Sequence, residues 1–280
     1  MALVWAIGLS HSIFWNYSLE EALEICSRIG VELLEIWADH PAVYPAIDDA
    51  PYISKIRDVL ASYDISVTVH ASCHDVNIAS INPGIRKESV RQMLGSARLA
   101  HELGSEIVVV HPGRRTTRYI NDSTYIAYAV KSLKIVAGEA QDYGVTICVE
   151  NMENNPRQFA VKPEVILSIV REVDHPNVKI TFDVAHANTY IDPIEYFRRI
   201  REYVAHVHLS NNFGQKTPRV HMPLYKGSID MYTLLRTFYE YGYRGRLVIE
   251  GGSYENTVES VAKNVDYLRV VIKELLKDEQ

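Results

Sequence analysis

Six short apolar runs in this chain each close on a side chain able to hold a metal ion. They end in Val69-His70, Val110-His111, Val149-Glu150, Phe182-Asp183, Val207-His208 and Ile249-Glu250. Two further imidazoles follow closely: His186, three residues after Asp183, and His221, in the segment after His208. Neutral imidazole and carboxylate are the usual ligands of divalent ions such as zinc and manganese. A single histidine at a strand end is more often a satisfied polar residue than a ligand. Eight candidates obeying one positional rule need a common cause. Charges are costly to bury unless paired or metal-bound. Glu150, Asp183 and Glu250 gathered at one place would repel one another without a cation. The pattern points to a divalent metal ion as cofactor, with Mn, Zn, Mg and Co all suited to these donors.

Such side chains meet only if the strands that carry them end at one mouth, as they do in a closed parallel barrel. Strand and helix signals alternate from end to end. The apolar runs predict strands over 3–9, 31–37, 65–70, 106–111, 145–150, 178–183, 203–209 and 247–250. Between them, Ser18 and Glu21 form a capping box for a helix that stops at Gly30. Pro51 opens a helix carrying Ile53, Ile56, Val59 and Leu60, and a stripe from Val90 to Ala100 marks another ending at Gly104. Further helices are expected over 123–143, 162–173, 191–201 and 230–241, and Asn256 with Glu259 caps a last one running to about 276. Eight such units, with no linker or low-complexity tract between them, predict a (β/α)8 barrel in the α/β class, a single domain over 1–280. A doubly wound sheet would show a Gly-rich fingerprint after its first strand. The turn here reads Gly8-Leu-Ser-His-Ser12.

The composition fits an ordinary globular protein, with 47% hydrophobic and 23% charged residues among 280. The three cysteines, Cys26, Cys73 and Cys148, show no CxxC pairing and read as small buried hydrophobes in a reducing compartment. A net charge of -6 gives no general pull toward nucleic acid or an anionic membrane. The first ten residues make a poor signal peptide, and no stretch is long and apolar enough for a membrane span. The cytoplasm is the expected location, and a homo-oligomer is left open.

Local basic residues qualify the argument from net charge. Arg114, Arg115 and Arg118 fall in a loop after the fourth strand, on the face where the ligands gather, and suit an anion contact. Lys216, Arg219 and Lys226 add positive charge after the seventh strand. His206 shares a strand face with His208 one layer deeper and reads as core. His40, His101 and His175 read as structural, while His11 and His74 lie near the mouth.

These segments together resemble the xylose-isomerase-like barrels, a superfamily that also includes endonuclease IV. The matching motifs are Val69-His70, His111-Pro-Gly113, Cys148-Val-Glu-Asn151, Phe182-Asp-Val-Ala-His186, Val207-His-Leu-Ser210, His221-x-x-Leu-x-x-Gly-x-Ile229 and Ile249-Glu250. Their order and spacing cover essentially the whole chain. The endonuclease type uses nine ligands for three metals, and eight of these match here: His70, His111, Glu150, Asp183, His186, His208, His221 and Glu250. The ninth position, two residues before His221, holds Arg219 instead of an Asp. A guanidinium cannot ligate a metal and repels one nearby. The sugar isomerase and epimerase type needs one metal, whose four ligands resemble Glu150, Asp183, His208 and Glu250. That resemblance also implies substrate contacts from His186 and Arg219, with His221 beside them.

The expected function is therefore a metal-dependent isomerase or epimerase of a sugar, sugar phosphate or related polyol. Glu150 and Glu250 would remove and return a proton through a metal-stabilised enediolate. The partner would be a small carbohydrate, held by His186, Arg219, His221 and Arg114. The alternative is a zinc-dependent phosphodiesterase acting at abasic DNA sites.

Overall fold

Eight parallel strands close into a barrel in the order β1 to β8, each paired with its sequence neighbour and β1 with β8. The computed structural model describes residues 5–252 and 257–278. The strands are β1 Ala6–Ser10, β2 Leu33–Trp37, β3 Ser66–His70, β4 Ile107–Val110, β5 Thr146–Glu150, β6 Val178–Asp183, β7 Val204–Leu209 and β8 Arg246–Ile249. The helices are α1 Leu19–Arg28, α2 Ala50–Leu60, α3 Pro83–Glu102, α4 Asp122–Asp142, α5 Pro163–Val173, α6 Val184–Asn188, α7 Pro193–Ile200, α8 Met231–Glu240 and α9 Val258–Asp278. The expected (β/α)8 architecture is thus observed. Residues 3–4 of the first predicted strand and Asn256 of the predicted last cap lie outside the described residues.

Local signals set these elements. Ser18 Oγ accepts from Glu21 N at 3.2 Å while Glu21 Oε2 accepts from Ser18 N at 2.7 Å, so both halves of the capping box form. Pro falls within the first turn of α2, α3, α5 and α7, where its missing N–H is not needed. The short helix α6 was not expected. It is capped by Asp183 itself, whose Oδ1 accepts from His186 N at 2.5 Å.

The main core lies between the strands and the surrounding helices, as Leu34, Ile36, Val108, Val110, Ile147 and Val149 illustrate. Inside the barrel a smaller apolar group of Ile107, Val109 and Cys148 is separate from it. Next to that group the interior turns polar, with Glu35, Thr68, His70, His206 and His208 all fully buried. The pairing of β6 with β7 shifts register between Ile180 and Thr181. The bulge puts His206 opposite Thr181 and His208 opposite Asp183. Bulges re-aim side chains at barrel rims, and this one turns both histidines into the lumen.

Candidate metal centre and active site

The structure brings the eight predicted ligands together at the C-terminal mouth. His70, Glu150 and Asp183 end β3, β5 and β6, and His208 is the penultimate residue of β7. His111 and Glu250 stand one residue beyond β4 and β8, where the sequence had placed them inside the strands. His208 Nδ1 lies 3.2 Å from both Glu150 Oε1 and Glu250 Oε2. One donor atom from each of Glu150, Asp183, His208 and Glu250 falls within 4.8 Å of the others. Two further groups drawn from the eight meet the same limit, His70 with His111 and Glu150, and Asp183 with His186 and His221; so do Glu35 with His206 and His208, and Asp39 with Cys73 and His74. Glu150 belongs to two of these groups, with His111 Nε2 at 3.1 Å and His70 Nε2 at 3.6 Å from its Oε2.

Asparagines organise the supporting loops. Asn151 Oδ1 accepts from Asp183 N at 2.9 Å and its Nδ2 donates to Asp183 O at 2.9 Å, tying the end of β5 to that of β6. Its carbonyl accepts from His186 Nδ1 at 2.8 Å, and Nε2 of that ring faces Glu153 Oε2 at 3.7 Å. After β7, Asn211 Nδ2 donates to Leu224 O, and Asn212 Nδ2 donates to Ala185 O and Val220 O. These bonds fold the segment carrying Arg219 and His221 back over the mouth. His221 Nδ1 then meets Ser210 Oγ at 3.0 Å.

The charges are strongly interdependent. Burial alone would push the Glu150 carboxyl up, but His208, His111 and His70 hold it well below the ordinary carboxylate range. Burial also opposes ionisation of Glu250, and His208 and His221 bring it down to about 2. Asp183 behaves differently. Burial raises it to about 6, Glu150 and Glu250 add to the rise, and His186 and His221 offset only part. Burial would discharge His186, but Asp183, Glu150, Glu153 and Glu250 outweigh it and lift the imidazole to about 9. His208 is raised well above its usual value by Glu35, Glu250 and Glu150 against the same burial penalty.

The donor set fits a divalent cation. Glu150 Oε2, Asp183 Oδ2 and Glu250 Oε2 are buried and have no aligned hydrogen bond, one orphan oxygen from each carboxylate. Buried polar groups without partners are uncommon and call for an ion or water. Three carboxylates with imidazole suit zinc, manganese or cobalt.

Residues 23–271 match the family model described as the xylose isomerase-like TIM barrel. The chain belongs to this family. An uncharacterised protein of Methanocaldococcus jannaschii is 31% identical over 98% of this chain and 92% of its own length. A D-psicose 3-epimerase of Ruminiclostridium cellulolyticum is 24% identical over 86% of this chain and 83% of its own. A probable endonuclease 4 of Aquifex aeolicus is 25% identical over 62% of this chain and 61% of its own. Among solved structures, a D-tagatose 3-epimerase-like protein superposes with a TM-score of 0.87 at 27% identity, covering 98% of this chain and all of that one. The protein IolI, solved with a bound zinc atom, shares the fold with a TM-score of 0.80 at 20% identity, over 96% and 99% of the two chains.

In this xylose isomerase-like barrel, a pocket of about 540 Å³ opens over Glu150 and Glu250 and is also lined by Trp37, His186, Arg219 and His221. Arg114 lines it too, presented by a loop that Asn77 clamps through Arg114 N at 3.0 Å and Arg114 O at 2.9 Å. The neighbouring arginines are spent elsewhere. Arg115 binds both oxygens of Asp122 and the carbonyls of Pro156 and Gln158. Arg118 lies over Tyr119 at the surface. Cys26 and Cys148 are buried as expected, but Cys73 is only partly buried and lines the pocket. His74 lines it as well, its Nδ1 2.8 Å from Asp39 Oδ2, whereas His11 is fully buried and stacked on His40. Glu35, buried in the lumen beneath this site, is marked in the sequence only as one acid inside the apolar run Leu33-Leu-Glu-Ile-Trp37. No helix among the described residues is long and apolar enough to cross a membrane.

Proposed function

We propose that the protein is a divalent-metal-dependent isomerase or epimerase of a sugar, sugar phosphate or related polyol, moving a proton at a carbon beside a carbonyl. The observation that carries this reading is the group Glu150, Asp183, His208 and Glu250, with two ionised glutamates on either side of one imidazole nitrogen. Its similarity to a D-psicose 3-epimerase along most of the chain supports it. An ion held by these four residues supplies positive charge to the oxygen that becomes negative as the proton leaves. Glu150 and Glu250 are both bases at neutral pH, so one removes the proton and the other returns it from the opposite side. Each needs an oxygen free for that transfer. His186, His221 and Arg219 line the same pocket and hold substrate oxygens, while Arg114 suits a phosphate.

A second reading, metal-dependent phosphodiester hydrolysis at abasic DNA, draws on the two additional ligand groups around His70, His111, His186 and His221. Arg219 in the same pocket wall argues against a full third metal there.

The deciding experiment incubates protein loaded with manganese, cobalt or zinc with ketoses and ketose phosphates in D2O. Deuterium should enter at the carbon beside the carbonyl, and Glu150→Gln and Glu250→Gln should each abolish its entry. No exchange with any ketose, together with metal-dependent incision of an abasic duplex, would replace this reading with the second.

A further inference from the structure

We infer that Glu35 is a positioning residue for the metal centre, holding the His208 ring from behind so that Nδ1 is the metal-facing nitrogen. The inference rests on the metal centre proposed above.

Glu35 sits in the middle of β2 and is fully buried inside the barrel. An isolated carboxylate there would be very costly, and hydrophobic side chains fill the neighbouring interior positions Ile107, Val109 and Cys148. Its two oxygens are divided between separate partners. Oε2 lies 2.8 Å from His206 Nε2 and accepts from Thr68 Oγ1 at 3.2 Å. Oε1 lies 3.0 Å from His208 Nε2, at contact distance though not yet aligned along the N–H direction. An ionised carboxylate only accepts, so His206 Nε2 carries the proton of its bond to Glu35, and the 3.0 Å approach of Oε1 favours the tautomer of His208 with its proton on Nε2.

The orientation of His208 follows. With Nε2 turned to Glu35, Nδ1 is turned to Glu150 and Glu250, 3.2 Å from each. Metal-bound histidines commonly donate their other N–H to a carboxylate, which fixes tautomer and ring angle and makes the ligand more basic. His206 takes the second oxygen of the same carboxylate. It and Thr68 keep Glu35 from swinging away from His208, which gives the deeper histidine a task although it faces no pocket.

A merely structural role would have Glu35 neutralise two buried histidines and nothing more. Two measurements with zinc as the probe separate these cases. In wild-type protein, nitrogen-15 NMR of the zinc-loaded form should show His208 Nδ1 as the bound nitrogen and Nε2 as protonated. Zinc on Nε2 would overturn the inference whether or not any variant folds. In the second measurement, Glu35→Gln keeps the shape but loses the charge and one acceptor. Its zinc affinity, read by competition with a chelator, should fall about 10- to 100-fold. Folded Glu35→Gln binding zinc as tightly as wild type, even with a lower melting temperature, would assign Glu35 to stability alone and overturn the inference. Wild-type protein that binds no divalent ion would instead remove the metal centre itself, a distinct failure.

Discussion

Replacing Asp183 by Asn should stabilise the metal-free protein while destroying its metal affinity. Asp183 is fully buried between two other carboxylates, and its carboxyl is raised from 3.8 to about 6. A folded-state value above the unfolded one means the group favours folding when protonated. Its contribution is therefore fully present below about pH 4 and is lost as pH rises through about 6. The rise corresponds to roughly 3 kcal/mol of destabilisation at neutral pH, at 1.36 kcal/mol per pH unit. Asparagine carries no charge and keeps an oxygen to accept from His186 N. In a chain of this size ~1 kcal/mol moves the melting temperature by about 2–4 °C. Asp183→Asn should thus melt up to about 6–12 °C higher than wild type at pH 7 with chelator present. The gap should narrow toward pH 4, as Asp183 becomes protonated in the wild type. With zinc the order should reverse. A ligand at about a thousand times its dissociation constant stabilises by about 4.1 kcal/mol, more than the roughly 3 kcal/mol separating the chelated proteins, and the variant cannot collect it. Scanning fluorimetry across pH, with chelator and then with zinc, reads both effects. A chelated variant less stable than wild type at pH 7 would refute the charge accounting.

Other substitutions test the parts around that centre. Gly113 has φ of 96°, and a Cβ there would lie 2.6 Å from Asn77 Oδ1 and from Ala79 Cβ. Gly113→Ala should cost about 2–5 kcal/mol, from about 1–2 for the left-handed backbone and 1–3 for the overpacking. A change under ~0.5 kcal/mol in denaturant unfolding would contradict the clash. Arg114→Gln should raise the Michaelis constant for a phosphorylated ketose about tenfold or more and leave neutral ketoses and bound zinc unchanged, since one charge-assisted hydrogen bond is lost. Equal constants for both substrates would remove Arg114 from the binding site. Arg219→Ala should raise the Michaelis constant with zinc content intact, and Arg219→Asp should recruit additional zinc alongside His186 and His221. Unchanged kinetics and unchanged metal analysis would place Arg219 outside the chemistry.

The barrel and the gathering of the eight candidate ligands at its mouth were legible because both follow periodic rules. A strand that ends in a charged residue announces itself in one dimension, as His70, Glu150 and Asp183 do. The short helix α6 did not, because Asp183 closes a strand and caps a helix at once. Glu35 was illegible for a different reason. Its partner His206 is 171 residues away, and nothing within β2 tells whether a lone acid will find it. The arginines of the loop after β4 looked equivalent in sequence. Only the approach of Asp122 and of the Pro156 and Gln158 carbonyls singles out Arg115 as structural and leaves Arg114 to the pocket. Cys73 was read as core because composition treats every unpaired cysteine alike, whereas its loop carries it to the pocket wall.

The four residues of the central group come from β5, β6, β7 and β8, which are neighbours around one half of the barrel. The opposite half contributes Ser12, Trp37, His74 and Arg114 to the pocket, from the ends of β1 to β4. The gene is therefore divided in its evolutionary freedom. On the proposed metal centre, its second half is bound by coordination geometry, where a change at one position must be answered at the others. Its first half can exchange the exposed loop residues of the pocket, and with them substrate range, as long as Glu35, His70 and His111 are kept. Directed evolution toward new sugars would find its tolerated diversity in the pocket loops that follow β1 to β4, at positions such as Ser12, His74 and Arg114, with Glu35, His70, His111 and Gly113 kept.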